Sequence, residues 1–178
     1  QALRNDTAGS YNSALGYQAM FDNLSGDFNA AFGYQASLNN ETGSNNTSIG
    51  ATALDNNTTG SDNTAVGYNA NVSTGALTNA TAIGANAFVT NNNSLVLGSV
   101  AGANAATAST NVGIGTTTPR ARLHVVKDGE VGGGLIQTFS AAVIENNAGT
   151  NYLQLLNPVT GDAGLISGTS ATTVRGGL

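Results

Sequence analysis

Three tyrosines hold the same place in a repeated pattern and are the side chains best suited to contacting a ligand. Tyr17 and Tyr34 occupy neighbouring copies of this pattern, and Tyr68 lies two copies further along the chain. Each is followed by an amide side chain: Gln18, Gln35 and Asn69. An aromatic face beside an amide can hold a sugar ring, but stacked aromatic rings also stabilise each other or a contact between chains. The tyrosines are therefore candidate contacts for a glycan, with packing as the alternative.

The carboxylates do not form a catalytic set. The loops carry five of them: Asp22, Asp27, Glu41, Asp55 and Asp62. They do not share one position in the repeat, whereas a glycan-cleaving enzyme needs two matched carboxyl groups. They also lack the recurring Gly and Asp pattern of calcium-binding repeats. We expect solvated loop charges, no metal, no cofactor and no enzymatic activity.

The single histidine and the glycine clusters also have structural interpretations. His124 has no other good metal ligand near it in the sequence, so we expect a structural role. Gly132-Gly133-Gly134 and Gly113-Ile114-Gly115 neither lead into a helix nor carry the Lys of a phosphate-binding loop, so we expect turns.

Composition narrows the class of protein. Only 8% of the 178 residues are charged and the net charge is −5, which argues against a nucleic-acid partner. No apolar run is long enough to cross a bilayer, so we expect no membrane contact in this segment. Cysteine is absent, so disulfides are excluded. The chain begins at Gln1, and we expect it to be a fragment of a longer protein.

The element that must position these side chains is a repeat. One glycine recurs with a 17-residue period, and its last copy follows at the shorter spacing of 14: Gly16, Gly33, Gly50, Gly67, Gly84 and Gly98. A second glycine precedes the first four by a constant interval: Gly9, Gly26, Gly43 and Gly60. Two glycine tracks at one period indicate a repeat protein.

A small and then a bulky residue precede each of the first five glycines of this track. The members of these pairs are Ala14, Leu15, Ala31, Phe32, Ile49, Ala65, Val66, Ala82 and Ile83, with Ser48 in the small position before Ile49. Neighbours on a strand point to opposite faces, so stacked coils give one small and one bulky column. Ala19, Ala36, Ala53, Ala70 and Ala87, shortly after each glycine, fit a narrow interior. Helix is disfavoured, because apolar residues do not recur at three and four. We predict a β-solenoid with two short strands per coil, and expect Asn, Thr and Ser to lie in soluble turns.

Such a coil buries little apolar surface, so the free energy gained by burial offsets little of the backbone entropy lost on folding. One apolar column can face the interior while the other faces outward. We therefore predict a homotrimer that covers the outward column.

The repeats resemble a known family. Asn12-Ser13-Ala14-Leu15-Gly16-Tyr17-Gln18-Ala19 and its successors, over residues 8–102, resemble the head repeats of YadA-like trimeric autotransporter adhesins. The resemblance implies a left-handed parallel β-roll with three chains about one axis. The 17-residue coil is longer than that family's usual 14, which recurs only between Gly84 and Gly98.

A second resemblance follows. Residues 111–119 (NVGIGTTTP) and 120–125 (RARLHV) resemble the junction in phage tail fibres and bacterial fibre proteins that end in an endosialidase-type intramolecular chaperone. Residues 151–158 and 163–168 resemble the β-rich segment that precedes such a chaperone. Leu123 and Val125 alternate with polar residues, and the runs 141–144 and 152–156 are largely apolar, which also favours strands.

These observations predict an all-β protein in three parts. Residues 1–102 form the β-roll, 103–120 a neck, and 121–178 a second β-rich trimeric segment. We expect a structural and adhesive segment of an extracellular fibre, on a bacterial surface or a phage-like particle, that binds a host glycan or surface receptor. The alternatives are a phage tail fibre, a glycan-cleaving tailspike and an ice-binding solenoid. The last would need an exposed Thr ladder, for which Thr47, Thr64 and Thr81 are candidates.

Overall fold

A computed structural model describes residues 1–120, 122–125, 166–169 and 172–175. The described residues contain short β-strands and turns, and no helix. The strands are β1 (Ser13–Leu15), β2 (Ala30–Phe32), β3 (Thr47–Ile49), β4 (Thr64–Val66), β5 (Asn71–Val72), β6 (Ala80–Ile83), β7 (Phe88–Val89), β8 (Ser94–Leu97), β9 (Val112–Ile114), β10 (Leu123–Val125), β11 (Ile166–Thr169) and β12 (Thr172–Arg175).

The repeat folds as a parallel β-solenoid of about five turns, which confirms the predicted fold class at that level. Its main sheet has the order β1-β2-β3-β4-β6-β8. Each small-bulky pair lies on its counterpart in the next coil, as in Ala14 with Ala31 and Leu15 with Phe32. The last pairing, of Ala82 with Val96, follows the shorter glycine spacing at the end of the repeat. The glycine period therefore sets the register of the sheet.

The small column faces the interior. Ala31, Ser48, Ala65 and Ala82, each the small residue of its pair, are buried. The predicted interior alanines from Ala19 to Ala87 are fully buried too. The largest apolar side chains inside are Met20, Leu54, Val72 and Val89. Because the interior is filled with small side chains, the bulky residue of each pair points outward.

The side of the coil opposite the main sheet differs from the expectation of two strands per coil. A second strand occurs only as the parallel pair β5 and β7 in the later coils. In the first three coils this side is a turn in which alternate residues, such as Gln18 and Met20, have positive φ. Left-handed residues bend the chain more tightly than an extended strand does.

Buried asparagines correct the expectation that Asn serves only soluble turns. Two columns run through the coils: the strand-side asparagines Asn12, Asn29, Asn46 and Asn63, and the turn-side asparagines Asn23, Asn40 and Asn57. All but Asn12 are buried. In both columns, amides of successive coils are hydrogen-bonded to each other. Among the described residues no buried side-chain nitrogen or oxygen lacks a partner, so these columns form a satisfied polar core.

Asn46 shows how the columns join coils. Its backbone N–H donates to Asn29 Oδ1 at 2.8 Å, and its own Oδ1 accepts from the N–H of Asn63 at 2.9 Å. Its Nδ2 donates to the carbonyl of Gly60 at 2.9 Å. One residue, through its backbone N–H and its side chain, therefore ties together elements of three coils.

The glycine of each coil lies against the glycine of the next. Gly50 has φ +132°, and a Cβ built on it would collide with the carbonyl of Gly67. Only glycine combines this conformation with such a close approach of two backbones.

The chain divides into two compact units, residues 1–112 and 113–178. In the first unit, residues after β8 fold back on the last coils, where Asn69 and Asn104 exchange side-chain to backbone hydrogen bonds. In the second unit, β11 and β12 pair in antiparallel fashion. The strand β9, which begins at the last residue of the first unit, forms a two-stranded sheet with β10. The predicted neck, residues 103–120, spans the division and stays a prediction. The predicted runs at 141–144 and 152–156 lie outside the described residues.

Candidate functional site

The outward face of the main sheet carries a continuous column of bulky apolar side chains. It consists of Leu15, Phe32, Ile49, Val66, Ile83 and Leu97, which pair in register from coil to coil. Leu15 is 70% exposed and Ile83 is 40% exposed. We call these six residues the outer column. An unbroken exposed apolar stripe is a feature of interaction surfaces.

A second column runs beside the outer column, two positions earlier on each strand. It contains Ser13, Ala30, Thr47, Thr64, Thr81 and Leu95. The three threonines do stack in register, as the sequence predicted, and all are half-buried. The Thr ladder covers three coils and is replaced by other residue types at both ends. A regular Thr face therefore does not extend along the sheet.

The predicted tyrosines lie on a separate column, directly after the glycine. Tyr17 and Tyr34 stack with ring centroids 5.6 Å apart and ring planes at 10°. Tyr68 occupies the same position two coils beyond Tyr34, and all three are exposed. The first two rings thus stack on each other, while Tyr68 has no ring stacked on it in the described part of the chain.

Sequence reasoning missed a second aromatic stack. Tyr11 and Phe28 stack at 4.9 Å with planes at 6°, and they are 80% and 58% exposed. Both have positive φ, which is uncommon for bulky residues. Asn45, Asp62 and Asn79 hold this position in the following coils, and Asn and Asp tolerate that conformation best. The alignment of Tyr11 with Phe28 in the glycine period is the signal that would have found the pair.

Two of the carboxylates accept hydrogen bonds from the preceding coil. Asp22 Oδ1 accepts from Asn5 Nδ2 at 2.7 Å, and Asp27 Oδ1 accepts from the N–H of Ser10 at 2.6 Å. Glu41 is exposed. Within the described ranges no three acidic, histidine or cysteine side chains gather where they could hold a metal ion.

Asp55 is a half-buried carboxylate in the turn of its coil. Burial raises the pKa of Asp55, because desolvation disfavours the charged form. The coil repeat explains the burial: Leu38 and Val72 hold the same position in the neighbouring coils. Asp55 thus interrupts an apolar column.

His124 lies half-buried in β10, and its Nδ1 accepts from the N–H of Arg120 at 3.4 Å. That contact is a structural one. In the parts of the chain that the structure describes, no helix is long and apolar enough to span a membrane.

The outer column ends at an open cleft. Ile83 and Leu97 line it together with Ala106 and Val112 from the following segment, and its volume is about 590 Å³. All four belong to the first compact unit. The apolar surface therefore extends beyond the last strand of the main sheet.

Comparison with protein-family models, with characterised proteins and with solved structures finds no match for this chain.

Proposed function

We propose that this chain is a non-enzymatic segment of an extracellular trimeric fibre that serves in attachment to a host, cell or other surface. In this proposal three copies pack their outer columns about one axis, in left-handed β-rolls. The observation that carries the proposal is the outer column itself: six stacked apolar side chains on the exposed face of a solenoid whose interior holds mainly small ones.

The size of the effect favours association. Fully burying a Val, Leu, Ile or Phe side chain is worth about 1.5–3 kcal/mol. Since these side chains are about half exposed in the single chain, their burial between copies adds roughly 1 kcal/mol each. Six per chain give a substantial driving force for an interface without charged residues at its centre.

The attachment role rests on the aromatic side chains that lie outside the outer column. Tyr11, Phe28, Tyr34 and Tyr68 are all more than half exposed. Exposed aromatic rings are frequent contributors to binding. A phage or phage-like tail fibre is the alternative setting for the same trimer, and the resemblance of residues 111–125 supports it.

A single cysteine tests the common axis, since the chain has no native cysteine. We expect Ile49→Cys to give a disulfide-linked dimer on mild oxidation, because two of three cysteines near the axis can pair. Thr59→Cys, at an exposed turn position, is the control and should stay uncrosslinked. A result in which both variants crosslink equally, or neither does, contradicts the proposed packing.

A further inference from the structure

We propose that the tyrosine column contains a slot for one neutral pyranose ring, between Tyr34 and Tyr68 and above Ala51. The column comprises the residues that follow each glycine: Tyr17, Tyr34, Ala51, Tyr68 and Ala85. The N–H of Thr52 donates to the carbonyl of Tyr34 at 2.8 Å, and the N–H of Asn69 donates to that of Ala51 at 2.9 Å. Tyr34, Ala51 and Tyr68 therefore stand on three successive coils.

The spacing of the column suits an inserted ring. Tyr17 and Tyr34, one coil apart, already stack with a centroid separation of 5.6 Å. Tyr68 is two coils from Tyr34, or about 9.6 Å at the usual strand spacing. A ring above Ala51 would lie about 4.8 Å from each tyrosine, within the normal range for stacked rings. Tyr34 is 51% exposed and Tyr68 is 62% exposed, so the slot opens to solvent.

The residues that follow the two flanking tyrosines each carry an amide side chain. Gln35 Nε2 donates to Gln18 Oε1 at 2.9 Å, and Asn69 Nδ2 donates to Asn86 Oδ1 at 3.0 Å. Thr52, between these two ladders, donates its hydroxyl to the carbonyl of Ala51 instead. Within the described part of the chain, Gln35 Oε1 and Asn69 Oδ1 accept no hydrogen bond. Both residues directly follow the tyrosines that flank the slot.

These features select a sugar over an aromatic side chain of another protein. A pyranose has apolar C–H faces for the two tyrosines and hydroxyl donors around its rim for the two amide oxygens. A phenyl ring has no such donors. The solenoid carries no Lys or Arg between Arg4 and Arg120, so it offers no cation to an acidic sugar. The slot therefore fits a neutral hexose or N-acetylhexosamine.

The inference rests on the attachment role proposed above but not on the trimer, since the slot uses residues outside the outer column. The probes are the methyl glycosides of glucose, galactose and N-acetylglucosamine, measured by saturation-transfer and titration NMR with the whole chain. We expect at least one to bind with a Kd in the millimolar range. Its ring protons should shift upfield between the tyrosines.

The deciding variant is Ala51→Tyr, which places a protein ring in the slot. We expect A51Y to keep its β circular dichroism and to lose detectable binding. Tyr34→Ala and Tyr68→Ala each remove one wall and should weaken binding roughly two- to twelve-fold. Tyr17→Ala is the matched control, because it removes an exposed tyrosine of the same column that does not border the slot, and it should change Kd less than about two-fold.

The inference is overturned if the wild-type chain binds none of the three glycosides. It is also overturned if A51Y binds a glycoside as well as the wild type does. Should A51Y fail to fold, equal affinity of Y34A, Y68A and Y17A would overturn it as well. Solution mass, measured on the same samples, separates the two proposals. A trimer without sugar binding removes the slot alone, and a sugar-binding monomer removes the trimeric fibre alone.

Discussion

The buried asparagines link coils through side chains that no apolar residue can replace. Replacing Asn46 by Ala removes the acceptor for the N–H of Asn63 and the donor to the carbonyl of Gly60. An unsatisfied buried polar group costs about 1–3 kcal/mol. The carbonyl of Gly60 keeps its hydrogen bond from Asn57 Nδ2 at 2.9 Å, so the N–H of Asn63 is the group left unpaired. We therefore expect N46A to lower the free energy of unfolding by roughly 1–3 kcal/mol. Asn91→Ala, at an exposed position, is the control, and an equal change in both variants in denaturant titrations would contradict this role.

The close contact between glycines of successive coils leaves no room for a side chain at Gly50. Gly50→Ala must hold a side chain at φ +132° and against the carbonyl of Gly67. We expect it to destabilise the chain by about 3 kcal/mol or more, or to prevent folding. Gly102 also has positive φ (+84°), but its Cβ would meet nothing within 4 Å. Gly102→Ala should therefore cost only about 1–2 kcal/mol. Thermal melts that rank the two variants the other way would show that close approach is not the cause.

Asp55 makes stability depend on pH. Because burial raises its pKa in the folded state above the unfolded value of about 3.9, the folded state binds its proton more tightly. The resulting contribution is fully present below about pH 4 and is lost as the pH rises through the raised pKa. We expect Asp55→Asn to raise Tm at pH 7, and this gain should shrink towards pH 4. Glu41→Gln, at an exposed site, is the control; a gain for D55N that grows on acidification would contradict the assignment.

Among single residues, the sequence predicts the positions at which only a small side chain fits the coil. Glycine and alanine columns follow from period and volume, as at Gly33 and Ala36. The asparagines were misassigned to soluble turns because a single amide in one coil does have a turn residue's propensity. Their burial arises only when identical amides stack from coil to coil, as Asn40 does on Asn23 at 2.9 Å. The same period, applied to Asn as well as to Gly, would have revealed them.

At the scale of strands, each short element of the main sheet has a small inward side chain and a bulky outward one. Ile49→Arg changes only the outward side of β3, where Ile49 is exposed in the single chain. We expect I49R to keep the β spectrum of the wild type and to lose association, since a charge would be buried without a partner at the axis. Asn91→Arg adds the same charge at an exposed bend and should associate normally. An I49R chain of unchanged mass would show that the outer column is not the interface.

The strands of the main sheet and their register were predictable, because the small-bulky-glycine pattern repeats with one period. Which of the two columns faces the interior was not predictable, because both are apolar and either fits a strand face. In the structure, the narrow interior of the coil takes the small residue of each pair, such as the buried Ala65. The bulky residue, such as Val66, lies on the outer face. The prediction of a second strand in every coil is wrong for the first coils, because left-handed turns at residues such as Ser37 close the coil with fewer extended residues.

In the whole molecule, three chains are proposed to share one apolar axis. Sedimentation equilibrium of the whole chain over a range of concentrations gives its solution mass. We expect three times the single-chain mass of 17.7 kDa. A folded species that stays at 17.7 kDa would contradict it, because the outer column would then be stable in water without a partner.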